Sequence, residues 1–264
     1  YHEAAGHAAL PPGEYQLSTR ENGRGVYTFC MCPGGSVVAA ASEEGGVVTN
    51  GMSLHARSGP NANAAVVAGV QGSDFGDDPF MAIAFQQQLE QAAYTAGGGG
   101  FAAPCQSVGG FLQGQALLPW GKVTPGYPRG VTAADLGTLL PRDMTQALQR
   151  GLVAFGRKLR GFDAADAALT GLETRTSSPV RIPRGETLES ADLPGLWPCG
   201  AGAGYARGII SAATDGLTVA CAVLGTYTPR SYTIAGLRHI TCPTRPTTGS
   251  PFIENPLPVT RGNG

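Results

Sequence analysis

The stretch GLWPCGAGAGYARGIISAATDG, Gly195 to Gly216, constrains the fold more than any other part of the chain. A short apolar run (Leu196, Trp197, Pro198, Cys199) leads into a glycine-dense turn at Gly200, Gly202 and Gly204. A small-residue helical pattern follows, with Ile209, Ile210, Ala212, Ala213 and Asp215. Strand, glycine turn and helix in succession aim backbone N–H groups and the positive end of a helix dipole at an anionic or polar ligand. Glycine is required wherever a Cβ would hold ligand and backbone apart. A turn packed tightly against a neighbouring element calls for the same residues, so the segment alone leaves ligand binding and plain packing equally open.

The rest of the chain is cut into short pieces. With 40 glycines and 20 prolines in 264 residues, turns and close backbone approaches dominate without any collagen-like period. The 18 Lys and Arg against 19 Asp and Glu leave no basic face for nucleic acid. No unbroken apolar run of about 18 residues occurs, so no transmembrane helix and no membrane partner are expected. The opening residues YHEAAGHAALPPGEY lack the basic start and apolar centre of a signal peptide, and no initiator Met is present. Six scattered cysteines (Cys30, Cys32, Cys105, Cys199, Cys221, Cys242) point to reduced thiols in a cytoplasmic protein.

Taken in order, residues 1–25 are polar and turn-rich, with His2 and His7 expected in solvent. Three β-prone runs, 26–31, 36–41 and 46–49, are separated by Pro33-Gly34-Gly35 and Glu44-Gly45-Gly46 and read as an antiparallel meander. Residues 63–70 add a further strand. Asp77-Asp78-Pro79 is a helix start, and the apolar stripe behind it ends at Gly97. Residues 101–130 look irregular, and 132–140 reads as a short helix stopped by Pro141. A second helix carries Met144, Leu148, Leu152, Phe155 and Leu159 at core spacing. Residues 169–190 return to β texture, and 225–264 reads as a disordered tail.

Four segments together resemble one family. GRGVYTFCMCPGG (23–35), VVTNGMS (47–53), GLETRTSSPVRI (171–182) and PCGAGAGYARGIISAATDG (198–216) are similar to uncharacterised FAD-dependent dehydrogenases of the glutathione-reductase-like class. The resemblance runs in order across most of residues 1–222. It implies an α+β chain: an inserted mixed β-sheet and helical domain over 1–168, then a returning FAD-binding segment over 169–224, with 225–264 as an atypical tail. Members of this class open with a Rossmann strand–GxGxxG–helix unit. No early GxGxxG is present here, and residue 1 falls where the inserted domain begins, so the resemblance implies a truncated chain whose partner is the missing Rossmann half.

On that reading Gly200, Ala201, Gly202, Ala203, Gly204, Tyr205 and Gly208 lie along the flavin. The N–H groups of 202–205 face it, and a helix over 205–222 lends its dipole. Two positions depart from the family's GEGAGYAGG: Ala201 replaces an acid that can reach a ribityl hydroxyl, and Arg207 replaces a glycine. Pro33, Gly34 and Gly35 form a second cofactor surface. Cys30 and Cys32, two apart in a strand, project to one face; they could pack, line the flavin's reactive face, or form a strained disulfide. No second pair with zinc spacing accompanies them, so no metal is expected. Asn50-Gly51-Met52, Arg57 and the polar loop Arg175–Ser178 are further candidates for the flavin or substrate side, although that loop could equally bond its own backbone. His55 and His239 have no recognisable partners.

The function implied is that of a partial FAD-dependent oxidoreductase acting on an unidentified small molecule. The alternatives are a non-catalytic domain that has lost flavin binding and a thiol-redox protein using Cys30 and Cys32.

Overall fold

The computed structural model describes residues 15–40, 43–76, 78–117 and 123–227. His2, His7, Asp77, Pro119, His239, Cys242 and the tail from 228 lie outside the described residues. The architecture is α+β, and the chain divides into two compact units, 1–180 and 181–264.

The first unit is built on one long strand. β1 (Ser18–Glu21) and β2 (Arg24–Ala39) form a hairpin through Asn22 and Gly23, both in the left-handed region that this tight turn demands. β3 (Thr49–Met52) and β4 (Asn61–Ala68) also pair antiparallel with β2. The antiparallel pairing is as expected but the strands are not: the runs 26–31 and 36–41 belong to one strand, the run 46–49 gives way to a strand over 49–52, and Pro33-Gly34-Gly35 is not a turn. The chain passes straight through it, and the mismatch is absorbed by two bulges opposite β4, between Phe29 and Cys32 and between Cys32 and Gly35.

α1 (Pro79–Ala96) starts as the sequence dictates, with Asp78 accepting the Phe80 N–H and Pro79 in the first turn. Residues 101–130, expected to be irregular, contain β5 (Ala103–Ser107) and α2 (Val108–Gln113). Every residue of β5 is buried, so it shows no alternation, and Pro104 disguises it further. It pairs parallel with β6 (Val131–Ala133) and antiparallel with β7 (Ala168–Thr170). The helix expected over 132–140 shrinks to a single 3-10 turn, Leu136–Thr138, capped by Asp135. The β texture of 169–190 yields only the end of β7 and one bridge, Arg184 to Ser190.

α3 (Arg142–Lys158) buries Met144, Ala147, Leu152 and Phe155, while Leu159 is exposed just beyond it. It lies on β2 so closely that a Cβ on Gly151 would stand 2.6 Å from Val26 Cγ1. Glycine inside a helix costs about 1 kcal/mol relative to alanine, and here it permits that approach. Leu17, Val26, Ala147 and Phe155 close the core at this crossing.

The polar loop after β7 is locked rather than free. Glu90 on α1 is almost fully buried, and Arg175 donates to both its oxygens at 2.9 and 2.7 Å. Thr174 adds a third bond, and Glu43 takes another Arg175 N–H at 3.0 Å. Burial works to raise the Glu90 pKa, but these bonds prevail and hold it below the usual range. Ser178 bonds the Val180 backbone. Arg175–Ser178 thus behaves as a structural loop. Replacing Arg175 by Met leaves the Glu90 carboxylate buried and unpaired, and should lower stability by about 3 kcal/mol in urea denaturation.

Candidate functional site

In the first unit the candidates gather at the break in β2. Cys30 adopts a left-handed φ of 48°, unusual for a residue with a side chain. The Cys32 thiol lies 3.2 Å from the Cys30 carbonyl. Because a bulge separates the two cysteines' neighbours, simple strand alternation does not set their faces as the spacing suggested. Cys30, Cys32, Cys105, Cys199 and Cys221 are all free thiols. Burial first, then the nearby Glu173 and Cys32, push the Cys30 thiol up, which favours its protonated and weakly nucleophilic form.

Gly34 and Gly35 have packing reasons to be glycine. Gly34 sits at φ 53°, and a Cβ on it would collide with the Arg57 carbonyl. A Cβ on Gly35 would collide with the Met52 carbonyl. Ser53 donates to the Pro33 carbonyl at 2.8 Å, and Gly59 to that of Gly34 at 2.8 Å. These contacts bind the 52–59 loop to β2. Ser53, Leu54, His55, Ala56 and Arg57 line an open depression on the outer side of that loop.

Asn63 and Glu173 are the residues that sequence reasoning missed. Asn63 pairs with Cys32 across the bulge. Glu173 follows Leu172, whose carbonyl accepts the Thr49 N–H at 2.9 Å beside β3. Burial raises the Glu173 carboxyl from 4.5 to about 7. Nothing in GLETRTSSPVRI marks this glutamate as one whose carboxyl is withdrawn from solvent.

A raised carboxyl pKa weakens the fold once the group ionises. The stability associated with neutral Glu173 is complete below its ordinary pKa of 4.5 and is lost as pH rises through about 7. Glu173→Gln should therefore melt above wild type at about pH 8 and level with it at about pH 4, by calorimetry.

In the second unit the glycine turn leads to α4 (Ile209–Tyr227), but its approach is not a strand. Residues 195–199 form turns and coil, and α4 starts later than residue 205. Arg184 organises the turn. It grips Asp215 of α4 with two bonds of 2.6 and 3.0 Å, donates to the Pro198 carbonyl at 2.7 Å, and covers the Tyr205 ring at 3.6 Å. Asp215 also accepts the Gly200 N–H at 2.8 Å. The Arg184 hydrogen bond, assisted by Gly200, holds the Asp215 carboxyl below its usual range despite partial burial.

Tyr205 has structural work here. Its hydroxyl donates to the Ile182 carbonyl at 2.9 Å, and Arg181 lies 4.6 Å from its ring. The N–H groups of Gly204 and Tyr205 bond the Ala201 and Gly200 carbonyls, so neither faces a ligand as expected. Ala203 is buried, and its carbonyl accepts from Ile182. Gly200 and Gly202 differ from the glycines of β2: a Cβ on either would meet nothing within 4 Å among the described residues. Gly208 is nearly as open, with Ser211 Oγ at 3.9 Å. These three leave a bare backbone face beside the start of α4, which fits the close approach of a flat or phosphorylated cofactor such as FAD. Ala201 and Arg207 are exposed on the same turn.

α4 bears on the expectation of no transmembrane helix. It is long and apolar enough to cross a membrane by length and composition, with a mean hydropathy of 1.5 and 6% of the window buried. Serine, threonine, glycine and Asp215 interrupt its apolar residues, so no unbroken run announces it. Asp215 is its only charge, and Arg184 neutralises it.

A protein-family model described as "FAD-dependent protein, C-terminal domain-like" matches residues 1–176. The chain belongs to this family. An "Uncharacterized protein" of Clostridium beijerinckii (strain ATCC 51743 / NCIMB 8052) is 48% identical over 217 residues, covering 81% of this chain and 41% of the relative. The chain thus spans well under half the length of that relative. Family membership supports a flavoprotein-related role and an association with FAD.

Proposed function

We propose that the chain is the C-terminal part of an FAD-dependent oxidoreductase and that the open turn 200–208 is its contact with the cofactor. What carries the reading is the open space beside Gly200, Gly202 and Gly208, where a Cβ would meet nothing closer than 3.9 Å among the described residues. The family model, which matches residues 1–176, supplies the choice of FAD for the chain; the turn itself lies beyond the matched residues. When bound, FAD supplies the two-electron transfer.

The residues of this chain supply position and exclusion. Arg184 and Asp215 hold the turn against α4. The Tyr205 ring, held under Arg184 and by its hydroxyl's bond to the Ile182 carbonyl, anchors the turn to residues 181–184. Gly200 and Gly202 let a ligand reach the main chain without meeting a side chain. A thiol-redox role for Cys30 and Cys32 is less favoured, because Cys30 keeps its proton beyond the ordinary thiol range.

Fluorescence and visible-absorption titration of the chain with FAD tests the reading. Saturable binding is expected, and Gly202→Leu should weaken it about tenfold by covering the backbone face. Unperturbed flavin spectra with the wild-type chain, or equal binding by Gly202→Leu, would overturn the assignment of this turn.

A further inference from the structure

The exposed turn Leu54–Arg57 has a tightly fixed backbone. The Arg57 N–H donates to the Leu54 carbonyl at 2.9 Å and closes the turn. Arg57 itself sits at a left-handed φ of 49°, a strained course for a residue with a side chain. Gly34 packs against it, also left-handed at 53°, and a Cβ there would collide with the Arg57 carbonyl. The Gly59 N–H bonds the Gly34 carbonyl at 2.8 Å, and a Cβ on Gly59 would stand 2.5 Å from that oxygen. Ser53 donates to the Pro33 carbonyl at 2.8 Å. Contacts before and after the turn therefore hold Arg57 in a conformation it would not choose alone.

The two basic side chains on this turn are left without protein partners. Arg24, Arg150 and Arg175 of the same unit all meet carboxylates, but the Arg57 guanidinium makes no ion pair or hydrogen bond among the described residues. No Asp or Glu lies between Glu44 and Asp74, and His55 and Arg57 are the only basic residues of that interval. Both line one open depression of about 520 Å³, together with Ser53, Leu54 and Ala56. Clefts of this size hold small molecules. Leu54 is 80% exposed and Met52, just before the turn, 54%, so apolar surface adjoins the basic groups. These side chains define the ligand. Arg57 offers a planar fork that matches a carboxylate, His55 an N–H in either protonation state, and Leu54 an aliphatic contact. A cation would find no carboxylate here, and an inorganic anion would leave the apolar surface uncovered.

We propose that the 53–57 turn binds a small organic carboxylate with an apolar body. Its carboxylate accepts from Arg57 and His55, and its body lies against Leu54. Gly34, Gly59 and Ser53 act only by holding the turn in place. The site lies wholly in the first unit and stands whether or not the turn at 200–208 holds FAD.

Benzoate is the probe, with acetate and benzyl alcohol supplying the carboxylate and the apolar body separately. The full chain, isotopically labelled, is titrated with each and followed by NMR at the 53–57 amides and the Arg57 guanidinium. Saturable shifts with benzoate are expected, with acetate and benzyl alcohol each binding about fivefold more weakly. Added salt should weaken benzoate binding. Arg57→Asn should weaken it about tenfold, and asparagine tolerates the left-handed backbone, so the turn keeps its course. Leu54→Ser should reduce benzoate to the level of acetate. If Arg57→Asn disturbs the free turn, the comparison of the three probes on the wild-type chain decides. Shifts that never saturate would overturn the proposal, as would equal binding by a well-folded Arg57→Asn chain or benzyl alcohol binding as tightly as benzoate.

Discussion

The first unit depends on a strand that must break in order to continue. β2 is sixteen residues long and serves β1 and β4 with its first part and β3 with its last. A regular twisted strand of that length would carry its far end away from the core. Two bulges re-aim it, and they impose the left-handed Cys30 and the crowded Gly34. The same bulges bring Asn63, Gly51 and the cysteines together, so the unpaired Asn63 amide is a consequence of how the sheet is held together.

Charge is handled in two contrasting ways. Glu90 with Arg175 in the first unit, and Asp215 with Arg184 in the second, are carboxylates inside protein with a guanidinium bonded to both oxygens. Each pair fixes a loop to a helix, and each depresses its carboxyl pKa. Glu173 has neither an arginine nor a second donor, and burial alone governs it. Among the described residues, the paired carboxylates hold loops in place, while burial makes Glu173 sensitive to pH.

The glycines also divide into two groups. Gly34, Gly35 and Gly151 are small because other atoms press against them. At Gly200 and Gly202 a Cβ would meet nothing within 4 Å among the described residues, although Gly200 also needs glycine for its left-handed φ of 73°. In the sequence the two groups look alike, since both sit in glycine-rich runs flanked by short apolar pieces. Only the positions of Arg57, Met52 and Val26 tell them apart, and each of these is distant from its glycine along the chain or belongs to another element.

What the sequence by itself determined was local. Asp78-Pro79 and the apolar spacing of Met144, Leu152 and Phe155 placed two helices, because capping and helical period act within a few residues. The antiparallel character of the first sheet and the family were legible for a similar reason, being carried by continuous segments, although the strand boundaries were not. The tertiary structure decided the rest. It showed β5 as a fully buried strand with no pattern to read, made a bulged strand of a Pro-Gly-Gly segment, and fixed Arg175 as a structural residue. It also left Asn63 and Glu173 unpaired, although neither had a local signature. Burial and hydrogen-bond satisfaction are set by partners far apart in the chain, so no short stretch of sequence reports them.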